Sequence, residues 1–344
     1  MSTPLVIRFG ALGDMILTTP LLRALAKRHG QPCAVACAGG WNRQLYANLP
    51  YVGVVTALES RGAPYWLSLS QQRLVRFMHH YRDSPCYLLE GDDKSYWLVD
   101  RAQLTLTAYN RQLADHANLH QVDVHARIAG FYDETARTFI DGFEPVPEIV
   151  ITQAERSACK TWLDALVPSG APVVLVHPGN KKTMGWRRRS NNLKDWPQAH
   201  WVATIQAVLA SLPDAQVLLT GSAGERPMTQ AIAEACASPR VRSIAGATSL
   251  RRLFSLLSLA HSVISVDTGP AHAAGAMGCP VVVLFGQTDP RANRPLSRFS
   301  PVVVVTGPPG APEMRGEAAW REHHRMSGIA PEMVIAAWRS LLVT

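Results

Sequence analysis

The second half of the chain holds short apolar runs with no water-facing side: "PVVLV" at 172–176, "VLL" at 217–219, "SVISV" at 262–266 and "PVVVLF" at 280–285. A half-exposed strand alternates apolar and polar residues. Consecutive Val and Leu need cover on both faces, which parallel sheets flanked by helices provide. The stretches between the runs supply such helices: "WPQAHWVATIQAVLASLP", "RPMTQAIAEAC", "SLRRLFSLLSLA" and "TGPAHAAGAMG" have helical spacing. The first half opens the same way, with the strand "PLVIRF", the turn "GALGD", a helical "MILTTPLLRALAKRHG" and the strand "CAVACAG". Pro20 either kinks that helix or opens one capped by Thr19. Between 60 and 140, "QQRLVRFMHHY" and "QVDVHARIAGFYD" are helix-patterned and "CYLLEG" is strand-like. A linker is expected at 141–150, followed by "TQAE", which has the form of a capping box from Thr152. The fold class is therefore α/β, with two domains built on parallel sheets and a cleft between them, a division that suits 344 residues at roughly 150 per domain.

Composition narrows the function. Hydrophobic residues make up 47% and charged residues 17%, as in ordinary globular proteins. No apolar run reaches the ~18 residues of a membrane span, and "MSTPLVIRFG" lacks signal-peptide form, so a cytoplasmic location is expected. The six cysteines form no CxxC pair and no zinc-like spacing with His, so buried thiols and no metal are expected. A net charge of +8 suits phosphorylated or other anionic partners. No nucleic-acid-binding module accompanies that charge, so nucleic acid is not expected as a partner.

In sheets of this kind, ligands sit beyond the carboxyl ends of the strands. Four polar turns fall there: "GALGD" (10–14), "HPGNK" (177–181), "TGSAGE" (220–225) and "DTGPAH" (267–272). None has phosphate-loop spacing, and "GALGD" misses GxGxxG, so no nicotinamide cofactor is implied. At "DTGPAH", Gly269 permits close backbone approach and Pro270 suits a first helical turn, so free amides would face an anion such as a diphosphate. A helix terminus contributes about 0.3–2 kcal/mol, whereas micromolar affinity needs about 8 kcal/mol. Other groups must help, and His272 and a lysine from another loop are the candidates. The bland alternative is that Asp267 caps a helix and His272 packs in a core.

Similar pairs of readings apply elsewhere. Lys194 is a phosphate cation or a solvated lysine. Glu225 is an acceptor for a ribose diol or a dipole-favoured acid at a helix start. Asp14 is a general base or a helix cap. The basic stretch "NKKTMGWRRRSNNLK" (180–194), with Lys182, Arg187, Arg188 and Arg189, is a phosphate clamp, a membrane-surface contact or a solvated loop. "EGDD" (90–93) has the composition of a metal–nucleotide site and "REHHR" (321–325) that of a metal site, but each stands alone.

Taken in order, "GALGDMILTTPLLRAL", "HPG…LKDWP", "LLTGSAGE" and "SVDTGPAHAAGAMGCPVVVLFGQTDP" closely resemble glycosyltransferase family 9, the ADP-heptose:lipopolysaccharide heptosyltransferases. The resemblance implies the GT-B type of fold, two Rossmann-like domains facing a cleft. It implies an acceptor-binding domain at 1–150 and a nucleotide-sugar-binding domain at 151–329. The helix at 330–344 is expected to return to the N-terminal domain. By the same resemblance, Lys194, Thr268, Gly269 and His272 hold the donor diphosphate, Glu225 its ribose, and Asp267 the sugar or the loop. Asp14 deprotonates the acceptor hydroxyl for direct inverting displacement, and no metal or cofactor takes part. Gly13, Lys182, Arg187, Arg188 and Arg189 are candidates for phosphate or acceptor contacts. The expected partners are a nucleotide sugar, a glycan or lipid-linked acceptor, and the cytoplasmic face of the inner membrane through a peripheral contact. Two rival functions stay open: a transferase or epimerase using another nucleotide sugar such as a UDP-hexose, and a non-catalytic nucleotide-sugar-binding scaffold.

Overall fold

The computed structural model describes residues 2–59, 64–113, 119–180, 194–307 and 324–342. The chain divides into two compact units, Met1–Val150 and Ile151–Thr344.

The first unit is built on strands β1 (Leu5–Ile7), β2 (Cys33–Ala38), β3 (Val52–Leu58), β4 (Cys86–Leu88) and β5 (Ala108–Tyr109). They form one parallel sheet in the order β3-β2-β1-β4-β5. β1 lies at its centre, and its Leu5, Val6 and Ile7 are fully buried. The stretch after "GALGD" is two helices, Leu12–Ile16 and Thr19–His29, in line with the reading in which Pro20 opens a helix of its own. Pro20 falls in the first turn of the second, with Thr18 rather than Thr19 in the cap position. A proline ring clashes with the carbonyl four residues earlier, here that of Ile16, and the helix breaks there. The Thr19 hydroxyl donates to that carbonyl at 2.8 Å, and the Thr18 hydroxyl donates to Asp14 O at 2.8 Å. After the helix Gln121–Ile128, the chain forms a two-stranded antiparallel hairpin, β6 (Tyr132–Asp133) and β7 (Thr138–Phe139), where only helix was expected.

The second unit contains β8 (Val173–His177), β9 (Gln216–Leu219), β10 (Val241–Ser243), β11 (Ser262–Val266), β12 (Val281–Phe285) and β13 (Val302–Thr306). All pair in parallel, in the order β10-β9-β8-β11-β12-β13. The four apolar runs of the sequence are the four central strands. β10 and β13 are the edges; β10 carries a single apolar residue, Val241, whereas β13 is a run of four valines that is only half-buried. Each strand-to-strand crossover carries a helix, so both sheets are of the Rossmann-like α/β class.

The C-terminal helix, Pro331–Ser340, corrects one expectation. It packs in the second unit, against the helix Gln198–Ser211 and strands β12 and β13. Val334 and Trp338 are fully buried in that unit's core, and the Trp338 indole donates to Ser262 Oγ at 2.9 Å. The apolar stripe of this helix finds its cover there, so it is part of the second unit's fold. All six cysteines are free and buried. Desolvation pushes the Cys33, Cys37 and Cys279 thiols up to about 12, which keeps them protonated and inert.

Candidate active site

Each unit gathers polar side chains at the carboxyl ends of its central strands. In the first unit, β1 runs out into Arg8, Phe9 and Gly10 before the helix Leu12–Ile16. Asp14 caps that helix: its Oδ2 accepts the Ala11 N–H at 2.8 Å. Its side chain occupies the space that a side chain on Gly10 would need. The cap reading of Asp14 is thus correct, and yet the side chain remains 32% exposed. Gly13 is buried inside the same short helix.

Arg8, which the sequence did not single out, links Asp14 to Glu90 of "EGDD". The Arg8 guanidinium is 11% exposed and lies between two carboxylates, 3.5 Å from Asp14 Oδ1 and 3.5 Å from Glu90 Oε2. It also donates to Leu89 O at 3.1 Å and to Gln121 Oε1 at 3.0 Å. Glu90 in turn accepts the Phe9 N–H. A buried cation is costly unless paired and hydrogen-bonded, and Arg8 is both. "EGDD" is therefore split by the fold. Glu90 joins Arg8, Asp92 caps the helix Asp93–Arg101 by accepting the Ser95 N–H at 3.1 Å, and Asp93 pairs with Arg111. Beneath this group, burial and then the Arg8 charge hold His125 well below the usual histidine range, so it adds no charge.

In the second unit, β11 ends at Val266 and the buried Asp267 follows, its N–H tied to Leu284 O at 3.1 Å. The Thr268 hydroxyl donates back to Val266 O at 3.2 Å, so Thr268 does not cap the helix Gly269–Ala276 with its side chain. Its small residues Ala271, Ala273, Ala274 and Gly275 are buried, which lets it pack close to the sheet. Lys194 reaches this point because Trp196 anchors the preceding loop. The Trp196 indole is buried against Trp201 and donates to Ile329 O at 2.9 Å. Lys194 Nζ donates to Asp267 O at 2.9 Å and pairs with the Asp267 carboxylate at 2.5 Å. His272 Nε2 lies 3.9 Å from Asp267 Oδ1. The fold thus brings Lys194, Asp267, Thr268, Gly269 and His272 together. His272 is itself buried, so it packs in the core as well as beside Asp267.

Glu225 sits on the other side of β8, at the end of β9. Its Oε2 accepts from the Ser222 N–H at 2.7 Å and the Ser222 hydroxyl at 2.8 Å, a capping box for the turn Ala223–Glu225. Its Oε1 stands where a side chain on Gly179 would be, so Glu225 links the turns that end β8 and β9. His177, which the sequence did not single out, lies at the same place with Nδ1 3.0 Å from Thr220 Oγ1. Burial lowers its pKa, and the nearby Glu225 charge opposes that shift. Lys182, Arg187, Arg188 and Arg189 fall at 181–193, outside the described residues, as do positions 321–323 of "REHHR". Among the described residues, no group of three or more His, Cys, Asp or Glu is placed to hold a metal ion.

Residues 89–319, more than half of the chain, match the family model for glycosyltransferase family 9 (heptosyltransferase). The chain belongs to glycosyltransferase family 9. It is accordingly a glycosyltransferase. Over 359 aligned residues it is 25% identical to lipopolysaccharide heptosyltransferase 2 of Escherichia coli strain K12, covering 98% of each chain. Its fold matches the solved structure of E. coli ADP-heptose lps heptosyltransferase II with a TM-score of 0.73 and 21% identity, covering 99% of this chain and 98% of that one. A family 9 glycosyltransferase from Veillonella parvula DSM 2008 aligns with a TM-score of 0.75 and 16% identity, over 99% and 97% of the two chains. The fold of this family 9 chain is of the GT-B type, and its strand ends gather a partly exposed carboxylate in the first unit and a lysine, an aspartate and a histidine beside a helix start in the second.

Proposed function

We propose that the chain transfers heptose from ADP-heptose to a lipopolysaccharide-type acceptor by direct, inverting displacement without a metal ion. Lys194, His272 and the amide end of the helix Gly269–Ala276 receive the donor diphosphate, and Glu225 receives the ribose. Asp267 holds Lys194 in place and borders the sugar. Asp14 takes the proton from the acceptor hydroxyl as its oxygen attacks the anomeric carbon. The bond from that carbon to the diphosphate oxygen breaks, and its electron pair leaves with the nucleoside diphosphate. The growing negative charge falls on Lys194, His272 and the helix amides, which is where preorganised electrostatic stabilisation is most effective.

The observation that carries this reading is the Lys194–Asp267–His272 cluster at the start of a helix that its own Thr268 side chain does not cap. The names of the similar curated proteins support heptose as the transferred sugar and lipopolysaccharide as the acceptor. In this reading the chain works at the cytoplasmic membrane face; no helix among the described residues is long and apolar enough to cross a membrane. A calorimetric binding panel of ADP-heptose, ADP-glucose and UDP-sugars, paired with turnover assays in chelator, tests it. Saturable binding of ADP-heptose with transfer unaffected by chelator is expected. Binding of UDP-sugars alone overturns the donor assignment, chelator-sensitive transfer overturns metal independence, and donor binding without transfer to any acceptor supports the scaffold alternative.

A further inference from the structure

Between Ser60 and Arg82 the sequence contains no acidic residue, and the described part of this stretch shows three large apolar side chains to solvent. Trp66 is 75% exposed, Leu67 62% and Leu69 65%. These residues lie on the short turn Tyr65–Leu67 and at the start of the helix Leu69–His79. They are held outward by hydrogen bonds: Gln72 Nε2 donates to Tyr65 O at 3.2 Å and Trp66 O at 3.3 Å, and Ser68 caps the helix by accepting the Gln71 N–H at 3.3 Å. Tyr65 meets the half-exposed Trp97 edge to face at 5.5 Å, and the Arg101 guanidinium covers both rings. Along the helix, positions 69, 73 and 76 follow the i, i+4, i+7 spacing of one stripe, and Leu69, Arg73 and Arg76 are all exposed. The acids of the neighbouring helix are mostly engaged elsewhere: Asp92 caps its own helix and Asp93 pairs with Arg111, leaving Asp100 beside Arg101.

A Trp- and Leu-bearing tip backed by a stripe of arginines is the pattern of a surface that lies in the headgroup layer of a bilayer. Apolar side chains there enter the acyl boundary, Trp prefers the interface, and arginines pair with lipid phosphates. We propose that Trp66, Leu67 and Leu69, with Arg73 and Arg76, form a docking surface of the first unit for an anionic bilayer. The charge argues for lipid over a second copy of the chain, because a net charge of +8 disfavours self-association through a basic face. The surface deepens the reading of a lipid-linked acceptor and rests on it only for its biological purpose.

Co-sedimentation of the full chain with phosphatidylcholine vesicles, with and without phosphatidylglycerol, tests the proposal. The unmodified chain is expected to sediment with the anionic vesicles, to be released by high salt and to ignore pure phosphatidylcholine. Two separate variants, Trp66→Ser/Leu67→Ser/Leu69→Ser and Arg73→Glu/Arg76→Glu, are each expected to raise the lipid concentration for half binding by about tenfold or more. Both are expected to melt at the unmodified temperature and to keep the unmodified rate on a water-soluble, deacylated acceptor. Vesicle binding absent in the unmodified chain, or unchanged in both variants, overturns the docking surface. A dimer in sedimentation velocity that the Trp66/Leu67/Leu69 variant abolishes also overturns it, in favour of a second copy. Failure of the unmodified chain to transfer sugar to any acceptor counts against the proposed function, while the vesicle result still decides the docking surface.

Discussion

Two carboxylates in this molecule stand where a neighbouring residue lacks a side chain, Asp14 over Gly10 and Glu225 over Gly179. Both are also caps, which fixes them without removing them from chemistry. In Asp14→Asn the amide still fits the cap but cannot take a proton. The expected result is a fall in kcat of about 10²–10⁴-fold with unchanged donor affinity, read by initial rates and donor titration. Gly179→Ala drives a Cβ into the Glu225 carboxylate, so donor KM should rise while the Asp14-dependent step, and hence kcat, changes little. Asp14, Glu225 and Asp267 are legible in the sequence because each closes a strand-end turn. Arg8 and His177 are not, and Glu90 shows only as part of "EGDD", because their meaning lies in partners brought close only by sheet pairing. Arg8 and Glu90 are 82 positions apart in the chain (90 − 8) and meet because β1 pairs with β4.

At the scale of elements, caps decide more than propensity. Thr152 and Glu155 form the expected capping box, with Glu155 Oε2 accepting the Thr152 N–H at 2.7 Å. Arg251 pairs with the same carboxylate from another helix. That hydrogen-bonded guanidinium, with help from Thr152, lowers the Glu155 pKa from 4.5 to about 2. A depressed carboxyl pKa gives stability that is full above the unfolded value and lost as pH falls through the folded one. The chain should therefore lose stability between pH 4.5 and about 2, and in Arg251→Ala that acid limb should flatten in denaturant melts. The C-terminal helix makes a different demand. Trp338→Ala empties a fully buried site between this helix and the sheet and should cost about 3–5 kcal/mol, measured by chemical denaturation. Central strands and capped helices were legible from apolar runs and cap residues. The edge β10 was not, because it carries a single apolar residue. β13, with four consecutive valines, has the same apolar signal as the central strands, and at Pro20 the sequence leaves a kink and a new helix both open.

At the scale of the molecule, the proposed transfer divides its chemistry between the two Rossmann-like units. Asp14 with Arg8 and Glu90 belongs to the first, and the Lys194–Asp267–His272 cluster with Glu225 belongs to the second. The α/β class and the second unit's binding turns follow from the apolar runs and the polar turns that end them. The destination of the C-terminal helix did not follow, because an apolar stripe shows that a helix needs cover without showing whose. The most direct test of glycosyl transfer based on Asp14 is mass spectrometry, with anomeric analysis, of a lipopolysaccharide core acceptor lacking its heptose after incubation with ADP-heptose. One added heptose with inverted anomeric configuration, lost in Asp14→Asn, is the predicted result; a retained configuration, transfer only from UDP-sugars, or equal product from Asp14→Asn would contradict it.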